Sequence, residues 1–244
     1  MHKLSLVMPA HNEEVCIRET VSAFHLELQK ENIPHVILVI NDGSSDKTEE
    51  ILKTLSREIP ELRDLNNHSP NGFGLAVRVG LENFQGDCVA IVMADLSDRP
   101  IDLVSYYRKM EEGFDCVFGS RFIKGGKIND YPLFKYLLNR FTNNLIKFLF
   151  NIKYNDITNA FKLYNRATIN GLKPLLSHHF NLTVELPLKS IIRGYSYATV
   201  PNHWQNRKAG ESKLKIKEMG SRYFFIIIYC LIEKWLSRGD YQKK

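Results

Sequence analysis

Val36-Ile37-Leu38-Val39-Ile40, running straight into Asn41-Asp42-Gly43-Ser44-Ser45-Asp46, decides how this chain folds. Five consecutive apolar residues, most of them β-branched, show no polar alternation, and such a run reads as a strand buried on both faces. Val89-Ala90-Ile91-Val92-Met93 repeats the pattern within an expected strand over 88–93, and Leu4–Met8 and Asp115–Gly119 are further strand candidates. Helical stretches separate them: a periodic segment ending at Glu31, then Asp46–Leu55, then Ile101–Glu112. Parallel neighbours need a long crossover, usually a helix, so this alternation predicts an α/β protein with a mostly parallel sheet flanked by helices. Ligands of such sheets bind beyond the carboxyl ends of the strands, which puts the segments after Met8, Ile40, Met93 and Gly119 on one rim.

The chain has 244 residues, enough for one large domain with a full core. With 44% hydrophobic and 25% charged residues it falls outside the disordered and low-complexity classes. A net charge of +6 favours anionic partners without choosing among nucleic acid, phosphorylated ligands and acidic lipid. No nucleic-acid motif accompanies the charge, so nucleic acid is not an expected partner. Cys16, Cys88, Cys116 and Cys230 are widely spaced with no CxxC pair, which suits a reducing compartment. Met1-His2-Lys3 leads directly into the first strand, leaving no room for a signal peptide. The longest apolar run, Tyr223–Ile232, falls well short of the ~20 residues of a spanning helix. These features predict a cytoplasmic protein without a span.

From Leu133 to Phe150 the pattern LFKYLLNRFTNNLIKFLF forms a wide apolar stripe with Lys135, Arg140 and Lys147 on or beside its polar side. KIKEMGSRYFFIIIYCLIEKWLSR, from Lys215 to Arg238, is a second such stretch. Both suit helices packed on the sheet; both equally suit interfacial helices lying on a membrane, where Phe, Trp and Tyr sit beside Lys and Arg. We divide the chain into 1–214, which carries the rim, and 215–244, the amphipathic helix and tail.

Each rim segment has a structural and a chemical reading. In Pro9-Ala10-His11-Asn12-Glu13-Glu14, Asn12 suits a helix cap and the acids suit a positive helix end. In the second segment Gly43 permits a tight turn and Asp46 with Glu49 forms an Asp-led capping box, which leaves Asp42 over to meet a ligand's base or ribose. Asn71-Gly72-Phe73-Gly74, opening a helix, suits a turn presenting backbone N–H groups to phosphate. Ala94-Asp95-Leu96-Ser97-Asp98-Arg99-Pro100 places two carboxylates three apart beyond a buried strand, as a hard divalent cation shared with phosphate requires. Asp98 also suits a cap on the helix that follows Pro100.

In this order and spacing the segments resemble the family 2 glycosyltransferases of the GT-A fold, whose openings read PxYNE, DDGSxD, a glycine turn and a DxD-type metal motif. Gly119-Ser120-Arg121 with Gly125-Gly126 is similar to the GSR…GG segment of the dolichol-phosphate mannose synthase-like branch. Asp156-Ile157-Thr158-Asn159-Ala160-Phe161-Lys162 resembles its D-x-T/S-S-G-F-R/K, and Asn206-Arg207-Lys208-Ala209-Gly210-Glu211-Ser212-Lys213 its R-x-x-G-x-S-K. The likeness covers Leu4 to about Leu214.

The resemblance implies that Pro9, His11, Glu13, Asp42, Ala94, Asp95 and Lys213 hold a nucleotide-diphosphate sugar. It implies that Asp95, with Ser97 and Asp98, binds Mg²⁺ or Mn²⁺ against the diphosphate. It gives Arg121, Lys135, Asn139 and Arg207 the acceptor phosphate, with Asp95, Arg121 and Arg207 the catalytic set. Met93 replaces the usual first Asp of DxD and Ser97 a common Gln, so metal coordination is leaner than in the type members; His11 replaces the usual Tyr and Asn159-Ala160 the usual Ser-Gly, departures that bear on base selectivity and acceptor contacts. Lys135 and Lys189 also suit solvated helix faces. The implied function is inverting transfer of a sugar, mannose from GDP-mannose first, to a polyprenyl or dolichyl phosphate by an enzyme peripheral on the inner face of a membrane. UDP-glucose, UDP-N-acetylglucosamine or another donor with a lipid or saccharide acceptor is the alternative within the class. A non-catalytic nucleotide-sugar-binding protein is the alternative outside it, and Asp95, Arg207 and Lys213 standing together argue against such decay.

Overall fold

The computed structural model describes residues 2–68, 70–206, 216–237 and 239–243, with the backbone alone over 216–219. Seven strands form the main sheet: β1 (Leu4–Ala10), β2 (His35–Asn41), β3 (Leu62–Asn66), β4 (Cys88–Ile91), β5 (Cys116–Ser120), β7 (Lys162–Asn165) and β8 (Tyr197–Pro201). Their order is β3-β2-β1-β4-β7-β5-β8. Every pairing is parallel except those of β7, which runs antiparallel between β4 and β5. The expected α/β architecture is therefore present, with one reversed strand the sequence pattern does not announce. A separate two-stranded parallel ribbon joins β6 (Lys127–Asn129) to β9 (His203–Gln205).

The unbroken apolar runs follow from burial on both faces. Leu4, Leu6 and Met8 of β1 and Ile37 and Val39 of β2 face one core, which α1 (Ile17–Lys30), α2 (Thr48–Glu58) and α4 (Pro100–Glu111) close. Val7, Leu38 and Ile40 face the other, closed by α3 (Phe73–Asn83), α5 (Leu133–Phe150), α6 (Arg166–Gly171), α7 (Leu182–Ile192) and α8 (Ile216–Leu236). Each fully buried aliphatic side chain contributes roughly 1.5–3 kcal/mol, so these alternating layers dominate stability.

Helix α8 docks on α7 through Ile226, Ile227, Cys230 and Leu231 and through a buried Arg193–Glu233 fork, with N–O distances of 2.6 and 2.8 Å. On α7, Lys189 is fully buried and pairs with Glu185 at 2.6 Å, while also donating to the Pro174 carbonyl. The solvated-face reading of Lys189 is thus wrong. An i,i+4 acid–base pair has the same spacing in the core as on a surface.

Helix α5 is inverted relative to an ordinary core helix. Its inner face carries Lys135, Asn139, Asn143, Ile146 and Phe150, whereas Phe134, Leu137, Phe141, Leu145 and Phe148 are exposed, Phe148 to 80%. On α8, Phe224, Phe225, Ile228, Ile232, Trp235 and Leu236 are exposed, while Leu231 is buried. The two helices touch, and Lys234 of α8 donates to the Phe150 carbonyl at 2.7 Å.

Candidate functional site

The loops after β1 and β2 are woven together. Asn12, at φ +54°, donates its N–H to Ser44 Oγ and accepts the Ser45 N–H on its side chain at 2.8 Å. The N–H groups of Glu13 and Glu14 donate to Thr48 Oγ1 and Asp46 Oδ2, and Glu14 Oε2 accepts from the Lys47 N–H. Asn12 therefore does not cap α1, whose first N–H groups bond instead to the Glu13 carbonyl. Nor does the expected capping box form: Asp46 bonds both the N–H and the hydroxyl of Thr48, and Glu49 pairs with Lys53. Both corrections have one cause, since short polar side chains at a rim bond whichever loop lies nearer.

His11 Nδ1 donates to the Asp42 carbonyl at 2.7 Å, which places a proton on Nδ1. The Asp42 carboxylate is buried and accepts from Asn67 Nδ2 at 2.7 Å and from the Gly72 N–H at 2.8 Å. A carboxylate has about four acceptor sites, so two bonds position Asp42 without exhausting it. The glycine turn is not an open phosphate cradle: Gly72 N–H goes to Asp42 and Leu75 N–H to the His178 carbonyl. A Cβ on Gly72 or Gly74 would come within 2.6 Å of the 178–179 backbone, so these glycines serve close packing.

Beyond β4 the chain turns sharply, with Leu96 at φ +58° and the Ser97 N–H on Asp95 Oδ1 at 3.1 Å. Thr20 Oγ1 pins the Ala94 carbonyl from below. Asp98 does not cap α4. It is buried, accepts the Met93 N–H at 3.3 Å, and its carboxyl is pushed up to about 7 by burial and by Asp95. Met93 itself lies past the end of β4, shorter by two residues than expected. Among the described residues no three His, Cys, Asp or Glu side chains cluster as a complete metal site. Asp95, Ser97 and Asp98 still fit a hard cation that takes one or two carboxylates and completes its shell from phosphate oxygens and water.

After β5, Arg121 lays its fork on Asp156, with Nε and Nη2 2.9 and 2.7 Å from the two carboxylate oxygens, and its own N–H adds a third bond. Asp156, whose role the motif alone does not disclose, sets the direction of the guanidinium. Lys135 and Asn139 lie one turn apart on the inner face of α5. Asn139 and Asn143 both donate to Thr158 Oγ1, at 2.8 and 3.0 Å, and Arg140 donates to the Asn155 carbonyl. Lys162, the last residue of that motif, is buried with its ammonium on the carbonyls of Ile157, Asn159 and Thr183, and burial pulls it down to about 7. The 155–162 loop therefore joins α5 to the Arg121 pole.

Strand β9 bonds the segment after β4: Gln205 N–H donates to the Ser97 carbonyl, Asp98 bridges Trp204, and His203 N–H donates to Asp102. Arg207 and Lys213 lie outside the described residues. Pro9, His11, Glu13, Asp42, Ala94, Asp95, Ser97, Asp98 and Arg121 all sit at or just past the carboxyl ends of β1, β2, β4 and β5.

The profile of the family described as Glycosyl transferase family 2 matches residues 5–172, more than half of the chain. Polyprenol monophosphomannose synthase of Mycolicibacterium smegmatis is 27% identical over 216 residues, covering 86% of this chain and 80% of the relative. Dolichol-phosphate mannosyltransferase of Pyrococcus furiosus is 28% identical over 218 residues, covering 88% of this chain and 60% of the relative. Glucosyl-3-phosphoglycerate synthase from Mycobacterium tuberculosis, crystallised with Mn²⁺, UDP and glucosyl-3-phosphoglycerate, superimposes with a TM-score of 0.70 at 17% identity, over 96% of this chain and 80% of that one. At that identity the likeness speaks for the fold alone.

Proposed function

Because the chain belongs to glycosyl transferase family 2, we propose that it transfers mannose from GDP-mannose to a polyprenyl phosphate, with Mg²⁺ or Mn²⁺ at Asp95, at the inner face of an anionic membrane. The observation that carries this reading is one rim of strand ends bearing His11, Asp42, Asp95, Ser97 and Arg121, with the apolar-faced α5 tied to the loop of Asp156 through Asn139 and Thr158. On this reading His11 and Asp42 form a nucleoside pole, Asp95 with Ser97 a diphosphate pole, and Arg121 with Lys135 and Asn139 a cationic pole. The names of the Mycolicibacterium and Pyrococcus relatives support the sugar and the acceptor class.

In this reading Asp42 and His11 orient the base and ribose, and Pro9, Glu13 and Ala94 shape the floor beneath them. Asp95, with Ser97 and Asp98, would hold a divalent cation, which would supply positive charge against the departing diphosphate. A phosphate acceptor is already ionised and needs no general base, so the chain's contribution is alignment for in-line attack on the anomeric carbon. Arg121, locked by Asp156, presents a fixed positive charge, and Lys135, Asn139 and Arg207 complete the acceptor's surroundings, with Lys213 toward the donor. Four buried free cysteines suit the reducing side of the membrane.

No helix among the described residues is long and apolar enough to cross a membrane. The exposed aromatic and aliphatic residues of α5 and α8 supply interfacial binding instead, alongside exposed Lys147 and Lys234 for an anionic surface.

Transfer of radiolabel from GDP-mannose into a solvent-extractable lipid, with polyprenyl phosphate and Mn²⁺ present, tests the reading. Transfer from GDP-mannose exceeding that from UDP-glucose or UDP-N-acetylglucosamine is expected. Transfer to a saccharide alone, or from a UDP-sugar alone, overturns the acceptor or the donor respectively.

A further inference from the structure

Four partly exposed aromatic rings cross the molecule from the metal segment to α5. Trp204 is bridged to Asp98 through its backbone and meets Tyr131 edge-on at 5.0 Å. Tyr131 meets Tyr136 at 6.5 Å, and Tyr136 meets Phe122 at 6.1 Å, again edge to face. The Arg121 guanidinium lies 5.4 Å from the Phe122 ring centre and 5.9 Å from that of Tyr131, so two of the rings flank it. Arg140 stacks on Phe122 at 3.9 Å, and its hydrogen bonds go to neutral partners, the Asn155 carbonyl and the Asn144 amide oxygen. Past Tyr136 the chain of apolar groups continues into exposed Leu137 and Phe141 of α5.

Packing of Trp204 on β9 against the loop that leads into α5 accounts for edge-to-face contacts. It does not account for four large aromatic side chains left partly in water, two of them beside a buried arginine, nor for a stacked guanidinium whose hydrogen-bond partners are neutral. Both features match a ligand that is anionic at one end and apolar along the rest. We propose that Trp204, Tyr131, Tyr136 and Phe122 form a track for the first isoprene units of the acceptor, and that Arg140 faces its phosphate from the α5 side. This rests on the polyprenyl-phosphate reading above and adds to it the residues that measure the chain. Saccharide stacking on the same rings is the competing use, and a membrane phospholipid is the competing lipid.

The protein has two tryptophans, so Trp235→Phe leaves Trp204 as the single emitter. Titrating that variant with farnesyl phosphate should give a saturable change in emission. Isopentenyl phosphate should give a change needing at least tenfold more ligand, and inorganic phosphate, mannose 1-phosphate and phosphatidylglycerol vesicles should give none. Tyr136→Ala in the same background should weaken farnesyl phosphate at least tenfold and isopentenyl phosphate less than twofold; Phe122→Leu is the second variant, should Tyr136→Ala lower the melting temperature. An equal response to mannose 1-phosphate or to vesicles alone overturns the track, as does unchanged farnesyl phosphate affinity in both variants. Lipid-linked mannose formed normally while these titrations fail would overturn the track and leave the proposed transfer standing. Failure of that transfer with intact farnesyl phosphate binding would overturn the donor and reaction instead.

Discussion

Both carboxylate oxygens of Asp156 are held by Arg121, at 2.7 and 2.9 Å, in a pair whose side chains are 0% and 6% exposed. The pair is a brace more than a reserve of stability, because two buried charges recover in attraction little more than they lose in hydration. Removing one partner is a different matter. Asp156→Ala should destabilise the protein by about 3–5 kcal/mol in urea unfolding, since it strands a buried guanidinium. Arg121→Met combined with Asp156→Leu should recover most of that loss while abolishing transfer. A double variant as unstable as Asp156→Ala alone would mean the pair is net stabilising.

Asp95→Asn should leave the melting temperature within a degree or two, because Asp95 lies beyond β4 and Asn keeps an oxygen to accept the Ser97 N–H. Ligand stabilisation follows RT ln(1 + [L]/Kd), so the extra thermal shift that Mn²⁺ adds to GDP on the wild type should vanish in this variant. Persistence of the Mn²⁺ increment would remove Asp95 from the cation.

Asp115, at the start of β5, accepts bonds from the N–H and hydroxyl of Ser196, from Asn165 and from Lys243. Burial alone would raise its carboxyl; these bonds outweigh it and hold the group below the usual carboxylate range. A depressed folded value means stability that is present above the unfolded value of ~3.9 and disappears as pH falls through the folded one. The stability gap between wild type and Asp115→Asn should therefore be flat from pH 7 to about 5 and shrink toward pH 3. A gap that grows on acidification would contradict the assignment.

Much of this was legible in the chain itself, and the exceptions share a cause. Val36–Ile40 and Val89–Met93 announce buried parallel strands because no polar residue interrupts them, and Leu133–Phe150 has the limits read from its periodicity. Strand β7 is invisible because it is four residues long and begins with a lysine, whose burial is made tolerable only by three carbonyls brought from elsewhere. Periodicity also says that α5 has two faces without saying which turns inward. Asn139 and Asn143 turn inward because Thr158 and the 155–158 loop offer them partners, which no local pattern records. At the rim, Asp42 and Asp95 stand where the strand ends put them; the glycine turn went astray because its partners, Asp42 and His178, are distant in sequence, and the Asp98 cap because that carboxylate turns back to the Met93 N–H.

The outward faces of α5 and α8 lead to the last expectation. Phe141 and Phe225 are 66% and 60% exposed, so replacing either by Asp removes almost no core contact. Leu231, on the opposite side of α8, is 5% exposed among Ile226, Ile227 and Cys230. At a membrane each fully transferred large apolar side chain contributes up to roughly 1.5–3 kcal/mol, and each nearby lysine about 1 kcal/mol on an anionic leaflet. Together these give reversible binding that weakens with salt, because only the lysine part is screened. Wild type should therefore float with phosphatidylglycerol vesicles at low salt and partly release at high salt. Phe141→Asp with Phe225→Asp should stay at the bottom of the gradient with an unchanged melting temperature, whereas Leu231→Asp should unfold. If the double aspartate variant unfolds instead, those side chains belong to the core; if it floats like wild type, the membrane meets another surface.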